Sequence, residues 1–219
     1  DDWLLAEDGT IDEASFGSLH DWAHGGRLGN WLTVNGESHP HIAVKAGARV
    51  RLRLINAANA RVFGLTLPSE GTLIAEDGFP RTHRTLTEIT LAPAQRADII
   101  VDLPDGDWNL VEIGNGNPYP AVTLKPTESP ENRVAKTALV QRPVAIPPSQ
   151  VDVTIPLHMQ GGAMGNLQEA MYHGQLVPIR ELAQQHKKVW AFNGEVSDHH
   201  GALGKLERNQ VASIQVYND

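Results

Sequence analysis

From position 31 onward, apolar and polar residues alternate along this chain in short runs. Arg49-Val50-Arg51-Leu52-Arg53-Leu54 alternates without a break, which sets Val50, Leu52 and Leu54 on one strand face and the three arginines on the other. Trp31 to Val34 runs into Asn35-Gly36, two residues that tolerate the positive φ angles of a type I′ turn, so a hairpin turn is predicted there. Further β-prone runs cover 72–75, 85–91, 97–103 and 108–113. Asp77-Gly78-Phe79-Pro80 predicts a turn between the first two, and Pro104-Asp105-Gly106-Asp107 a short hairpin loop between the last two. Hardly any helical period occurs before residue 145. The pattern predicts an all-β, antiparallel sandwich or barrel.

The flanks read differently. Residues 1–30 show no sustained period and read as a connecting arm, while Pro143, Pro147 and Pro148 mark a stiff linker. Alternation returns at 151–157, and short helical patches are predicted at 165–172 and 179–186. Val189 to Glu195 then echoes 31–37: Asn35-Gly36-Glu37 matches Asn193-Gly194-Glu195 at an offset of 158. Val50, Leu52, Leu54 and Asn56 match Ala212, Ile214, Val216 and Asn218 at an offset of 162. Two similar β-domains in tandem would produce this repeat. The expected organisation is an arm over 1–30, a β-domain over 31–144, a linker with short helices over 145–187 and the first strands of a second β-domain over 188–219. The opening Asp1-Asp2-Trp3 and the strand pattern at 210–218 both read as boundaries within a longer polypeptide.

Composition narrows the chemistry. With 41% hydrophobic and 20% charged residues the chain is of globular type, and no apolar run is long enough to span a bilayer. A formal charge of −8, without basic clusters, argues against nucleic acid or anionic lipid as partner. The absence of cysteine excludes disulfides, thiol catalysis and any metal centre held by thiolate in this chain.

The stretch from Gly47 through Arg49–Leu54 to Asn56-Ala57-Ala58-Asn59-Ala60-Arg61 resembles the opening of the middle cupredoxin-like domain of bacterial three-domain multicopper oxidases. Laccase-like, cuprous-oxidase and bilirubin-oxidase members belong to that group. Ile74–Gly78 and Leu91–Val101 resemble two later strands of that domain, Asp1-Asp2-Trp3 with Asp8-Gly9 the segment entering it, and Trp190–Asn218 the first strands of the third domain. The resemblance implies a Greek-key β-sandwich and, in the parent protein, a type 1 copper and a trinuclear cluster. Electrons from phenolic, aromatic or metal-ion substrates would pass through them to dioxygen. It further implies neighbouring cupredoxin domains as partners and a periplasmic or secreted location. The family's ligands lie in H-x-H motifs and an H-C-H motif of the outer domains, none of which is present here. No copper ligand and no catalytic residue is therefore carried over to this chain.

Four groups of residues remain as candidates. His39-Pro40-His41 has chelate spacing, but Pro40 matches a structural proline of the family, and surface histidines are preferred. His199-His200 reads as a solvated turn before Gly201. Met159, Met164 and Met171, flanked by His158 and His173, could offer soft ligands to Cu(I). The preferred reading is an apolar helical stripe of Met164, Leu167 and Met171. Arg49, Arg51 and Arg53, with Arg61 nearby, are expected to pack against a neighbouring domain. Three functions follow: the structural middle domain of a multicopper oxidase, a copper-free relative serving as an envelope or cell-division scaffold, or an independent β-sandwich binding module.

Overall fold

The computed structural model describes residues 1–114, 116–127, 138–141, 150–197 and 201–219. The chain forms two compact units, one of residues 1–12 with 28–145, the other of 13–27 with 146–219. The linker prolines and His199-His200 lie outside the described residues.

The first unit opens with Asp2–Trp3 (β1), paired antiparallel with Trp31–Leu32 (β2). The predicted turn follows, with φ of 54° at Asn35 and 84° at Gly36 and a bridge between Val34 and Glu37. Then come His41–Val44 (β3), Arg49–Ile55 (β4), Phe63–Glu76 (β5), Phe79–Leu91 (β6), Arg96–Asp102 (β7), Trp108–Glu112 (β8) and Tyr119–Pro126 (β9). The sheet order is β3-β9-β8-β5-β7-β4, with β6 on the other edge of β5.

Two strands are longer than the β-prone runs suggest. The turn after β5 is confined to Asp77 and Gly78 (φ 51° and 85°), so Phe79 and Pro80 already belong to β6. Pro is tolerated at a strand's start, and the pair Ala75–Pro80 falls beside a register shift. The loop at 104–107 is not a hairpin. Both β7 and β8 run antiparallel to β5 along one edge, Val101 opposite Gly71 and Val111 opposite Thr66, so the chain steps outward and continues in the same direction. The step lets β5 serve two halves of a sandwich. Its irregularity falls between Thr66 and Gly71, where a Cβ on Gly71 would stand 2.6 Å from Ile99 Cγ2. Glycine is what that close approach accepts.

Inward residues of β5 alternate with outward ones and bury Phe63, Leu65, Leu67 and Leu73 against Ile99, Val101, Leu110 and Leu124. Trp108 is 1% exposed at the centre, its indole N–H donating to Ser69 Oγ at 3.0 Å. Burial of such a ring stabilises a domain by several kcal/mol, with the polar edge satisfied. Val50, Leu52 and Leu54 pack on this core, as their alternation predicts.

In the second unit, a short helix at Leu19–Ala23 (α1) precedes Val153–Gly161 (β10), the centre of a sheet ordered β13-β10-β14. Glu169–Tyr172 (β11) and Gln175–Pro178 (β12) form a hairpin, Ile179–His186 (α2) follows, and Trp190–Phe192 (β13) and Ala212–Asn218 (β14) complete the unit. The helix predicted at 179–186 is present, closed by Lys187 at φ 56°, whose N–H bonds Leu182 O. The helix predicted at 165–172 is not. His173 and Gly174 (φ 48° and 77°) make a primed turn that commits Glu169–Tyr172 to a strand, and the spacing of Met164, Leu167 and Met171 is coincidental. Asn193 and Gly194 (φ 53° and 78°) repeat the Asn35-Gly36 turn, with Phe192 bridged to Glu195.

Candidate functional site

The most elaborate polar arrangement is built on Asn56, at the end of β4. Its amide is 2% exposed: Nδ2 donates to Arg61 O at 2.7 Å and Leu91 O at 2.9 Å, and Oδ1 accepts from Ala58 N–H at 2.9 Å. A side chain that bonds its own backbone two residues on stabilises a turn. That turn presents Arg61. Its Nε donates to Asp2 Oδ2 at 2.7 Å and its terminal nitrogen to Gly29 O; Asp2 Oδ2 also accepts Gly29 N–H at 2.6 Å. The ion pair is well buried, with side-chain exposures of 14% and 3%. Gly29 approaches so closely that a Cβ would stand 2.6 Å from the Trp3 backbone.

Beside this pair a cleft of about 360 Å³ is lined by Asn30, Trp31, Glu112 and Tyr119 together with Asp2 and Arg61. Glu112 is 2% exposed and accepts Gly114 N–H at 2.7 Å. Among the described residues every buried side-chain nitrogen and oxygen has a hydrogen-bond partner, so no orphaned polar group awaits a ligand here. The cluster fastens β1 and the residue-29 loop to the sandwich. Sequence reading saw Arg61 only as a neighbour of the arginine row and missed Asp2, Gly29 and Glu112. The one available signal was the Asn five positions before an Arg.

The arginine row pairs with carboxylates of its own sheet. Arg49 grips Asp102 through two nitrogens, each at 2.8 Å, Arg51 bonds Asp98, and Arg53 lies 3.6 Å from the same Asp98. Arg49 stands opposite Asp102, and Arg53 opposite Asp98, in the β4–β7 register, so the row is matched by its own sheet. The hydrogen bonds that Arg49 donates to Asp102 raise its pKa above the ordinary value.

The metal candidates are dispersed. His39 is at φ 47°, ahead of β3 rather than in a strand, and meets the His41 ring edge-on at 5.1 Å. Its Nε2 lies 3.0 Å from Thr123 Oγ1, whose single proton goes to Asn109 Oδ1 at 2.7 Å. Nε2 therefore donates, and is committed. The methionines come from three separate segments: Met159 in β10, Met171 opposite Leu176 in the β11–β12 hairpin, and Met164 on a bend, 90% exposed. His158 lies tilted against the Tyr217 ring and His173 against the Tyr172 ring. Among the described residues no three His, Cys, Asp or Glu side chains group as a metal site.

The family profile of the multicopper oxidases matches residues 2–127. The chain belongs to that family. It is 28% identical over 216 residues to the cell division protein FtsP of Sodalis glossinidius, which covers 97% of this chain and 42% of that protein. FtsP of Dickeya dadantii is 32% identical over 161 residues, covering 71% of this chain and 33% of its own length. The crystal structure of a multicopper oxidase from Pseudomonas thermotolerans is 30% identical, with a TM-score of 0.58, over 73% of this chain and 39% of that one. A multicopper oxidase from Pediococcus acidilactici, 20% identical, matches 99% of this chain and 40% of its own at a TM-score of 0.65, a likeness of fold. The chain thus spans less than half of these relatives, and its fold is the cupredoxin-like one of their domains. A chain without cysteine cannot hold a thiolate-bound copper, so the donor set present here does not fit the family's type 1 centre. No helix among the described residues is long and apolar enough to cross a membrane.

Proposed function

We propose that this chain is the structural middle domain of a multicopper-oxidase-like polypeptide, with its entry arm and the first strands of the following domain. The observation that carries the reading is the Asp2–Arg61–Gly29 cluster, which spends its buried charges on holding the entry segment rather than on a ligand. In this role the domain spaces two flanking cupredoxin domains, whose facing surfaces would carry the copper. The second unit supports the same organisation. Ile214 and Val216, counterparts of Leu52 and Leu54, are 54% and 56% exposed, as expected for strands that await the rest of their sandwich.

Two activities of the parent are compatible with this. As an oxidase it would oxidise phenolic, aromatic or metal-ion substrates and reduce dioxygen, in a periplasmic or secreted setting. As a copper-free relative it would serve as a scaffold in cell division, a reading favoured by the name carried by the FtsP relatives. Copper analysis, the thiolate-to-copper absorption band and oxygen uptake of the full-length polypeptide separate them. Bound copper with oxygen uptake establishes the oxidase, whereas a copper-free protein that gathers at the division site establishes the scaffold. If this chain alone retains copper with a blue band, the structural reading is wrong.

A further inference from the structure

The helix α1 and its C-cap carry two histidines four positions apart, His20 and His24, which a helical backbone sets one above the other on a single face. Both are exposed, and their rings stack with centroids 4.2 Å apart and planes inclined by 29°. His24 Nδ1 lies 2.7 Å from the His20 carbonyl oxygen. A carbonyl only accepts, so Nδ1 carries the proton and, in the neutral ring, Nε2 holds an open lone pair. A metal-binding histidine is ordinarily prepared in this way, one nitrogen anchored to an acceptor and the other left to the ion. The His20 ring makes no hydrogen bond among the described residues, so its side-chain torsions are free to turn it toward the same ion.

The helix that carries the pair is otherwise weakly held. Its five residues fall far below the length at which a helix is stable by itself, Ser18 gives it no side-chain cap, and none of its residues is buried. Its ties to the rest of the second unit are made at Trp22 and Ala23. Ala163 N–H donates to Ala23 O at 2.6 Å, Trp190 Nε1 donates to Trp22 O at 2.6 Å, and the Lys187 ammonium stands 5.3 Å from the centre of the Trp22 ring. The turn itself is closed by long backbone bonds, Trp22 N–H to Ser18 O at 3.2 Å and His24 N–H to His20 O at 3.1 Å.

We infer that His20 and His24 form a binding site for one divalent transition-metal ion of the Zn²⁺ and Ni²⁺ class. His24 coordinates through Nε2 and His20 through a ring nitrogen, with water in the remaining positions. Imidazole suits such ions, and bonds of about 2.0–2.1 Å keep two ligands of one ion within about 4.2 Å of each other, close to the spacing at which the rings already stand. The ion acts as a clip across α1, so its binding free energy becomes order in that turn. Two imidazoles make a weaker site than the four-ligand cages of structural zinc, and occupancy therefore follows the free metal concentration.

The test titrates the full chain with Zn²⁺ alone and follows the nitrogen shifts of the histidine rings together with amide hydrogen exchange. The first equivalent is expected to shift the His20 and His24 rings ahead of His39 and His41, and to slow exchange of the Trp22 and His24 amides about tenfold. His24→Gln keeps an amide donor for the His20 carbonyl while removing the ligand, and is expected to weaken zinc binding about tenfold or more without altering exchange in the zinc-free chain. His20→Ala should weaken binding to the same degree, and His39→Ala should leave it unchanged. Shifts that begin at other histidines, zinc affinity unchanged in either His20→Ala or His24→Gln, or α1 amides indifferent to zinc would show adventitious binding only and overturn the inference.

Discussion

Arg61 donates from Nε to Asp2 Oδ2 at 2.7 Å across 59 positions of sequence, so the second residue of the chain is held by a side chain from the loop after β4. Both groups are buried, and the balance between desolvation and attraction in such a pair is decided by the hydrogen bonds that accompany it. Here Gly29 completes them from both sides, its N–H donating to Asp2 and its carbonyl accepting from Arg61. Asp2→Ala leaves a guanidinium buried beside fewer acceptors and is expected to cost about 3 kcal/mol, while Arg61→Met strands the carboxylate to a similar degree. The double variant is expected to be less destabilised than the two losses added together. Urea unfolding of the four proteins gives the coupling directly, and simple additivity would show the pair to be inert.

Asn56 uses both ends of its amide, and that asymmetry gives a pH-dependent prediction. Asn56→Asp keeps an acceptor for Ala58 N–H but turns an oxygen, in place of the Nδ2 donor, toward the carbonyls of Arg61 and Leu91. The ionised variant should lose about 3 kcal/mol, through two stranded acceptors and a buried charge. A proton on that oxygen restores one donor. The carboxyl's folded pKa is thus raised, so the unfolding penalty shrinks as pH falls below that raised value; a penalty flat between pH 7 and 4 would contradict this arrangement. Asn56→Ala is expected to be destabilised at every pH.

The alternation of Arg49 to Leu54 made β4 legible because period two allows one answer for which face is buried. The paired turns at Asn35-Gly36 and Asn193-Gly194 were equally legible, since few residue pairs accept two successive positive φ angles. Topology was not. Whether Pro104–Asp107 reverses the chain or lets it step sideways along β5 is decided by pairing with residues some forty positions earlier. The stretch at 165–172 shows the opposite failure, a helical spacing of apolar residues overridden by the turn at His173 and Gly174. For the site, residue types drew attention to histidine and methionine, whereas the cluster that forms depends on Asp2, Gly29 and Arg61 meeting in space, which spacing along the chain does not encode.

The β4–β7 ladder ranks two conservative substitutions. Asp98 is 15% exposed and serves two guanidiniums; Asp102 is 42% exposed and serves one. Asp98→Asn leaves Arg51 and Arg53 facing each other without a shared carboxylate and should cost about 1–2 kcal/mol, while Asp102→Asn should cost less than about 1 kcal/mol. Thermal unfolding at low and high salt checks the order. Added salt should narrow the gap, because screening acts on the repulsion left among the arginines. An equal loss at both positions would mean that sharing the carboxylate adds nothing.

Asp8 supplies a local acid-sensitive contact. Its Oδ1 accepts from Thr10 N–H at 3.0 Å and from Thr10 Oγ1–H at 2.7 Å, and these bonds, the hydroxyl's foremost, hold its pKa below the ordinary carboxylate value. A carboxylate with a depressed folded pKa contributes stability that is present above the unfolded value and fades as pH falls through the folded one. The turn at 8–10 should therefore keep its hydrogen bonds down to a pH below the usual aspartate midpoint and lose them in more acidic solution. Carbon-detected NMR titration of the Asp8 carboxyl measures the midpoint. Thr10→Val removes the hydroxyl donor and leaves the N–H, so the midpoint should rise toward the ordinary value without reaching it, and an unchanged midpoint would assign the depression to the backbone alone.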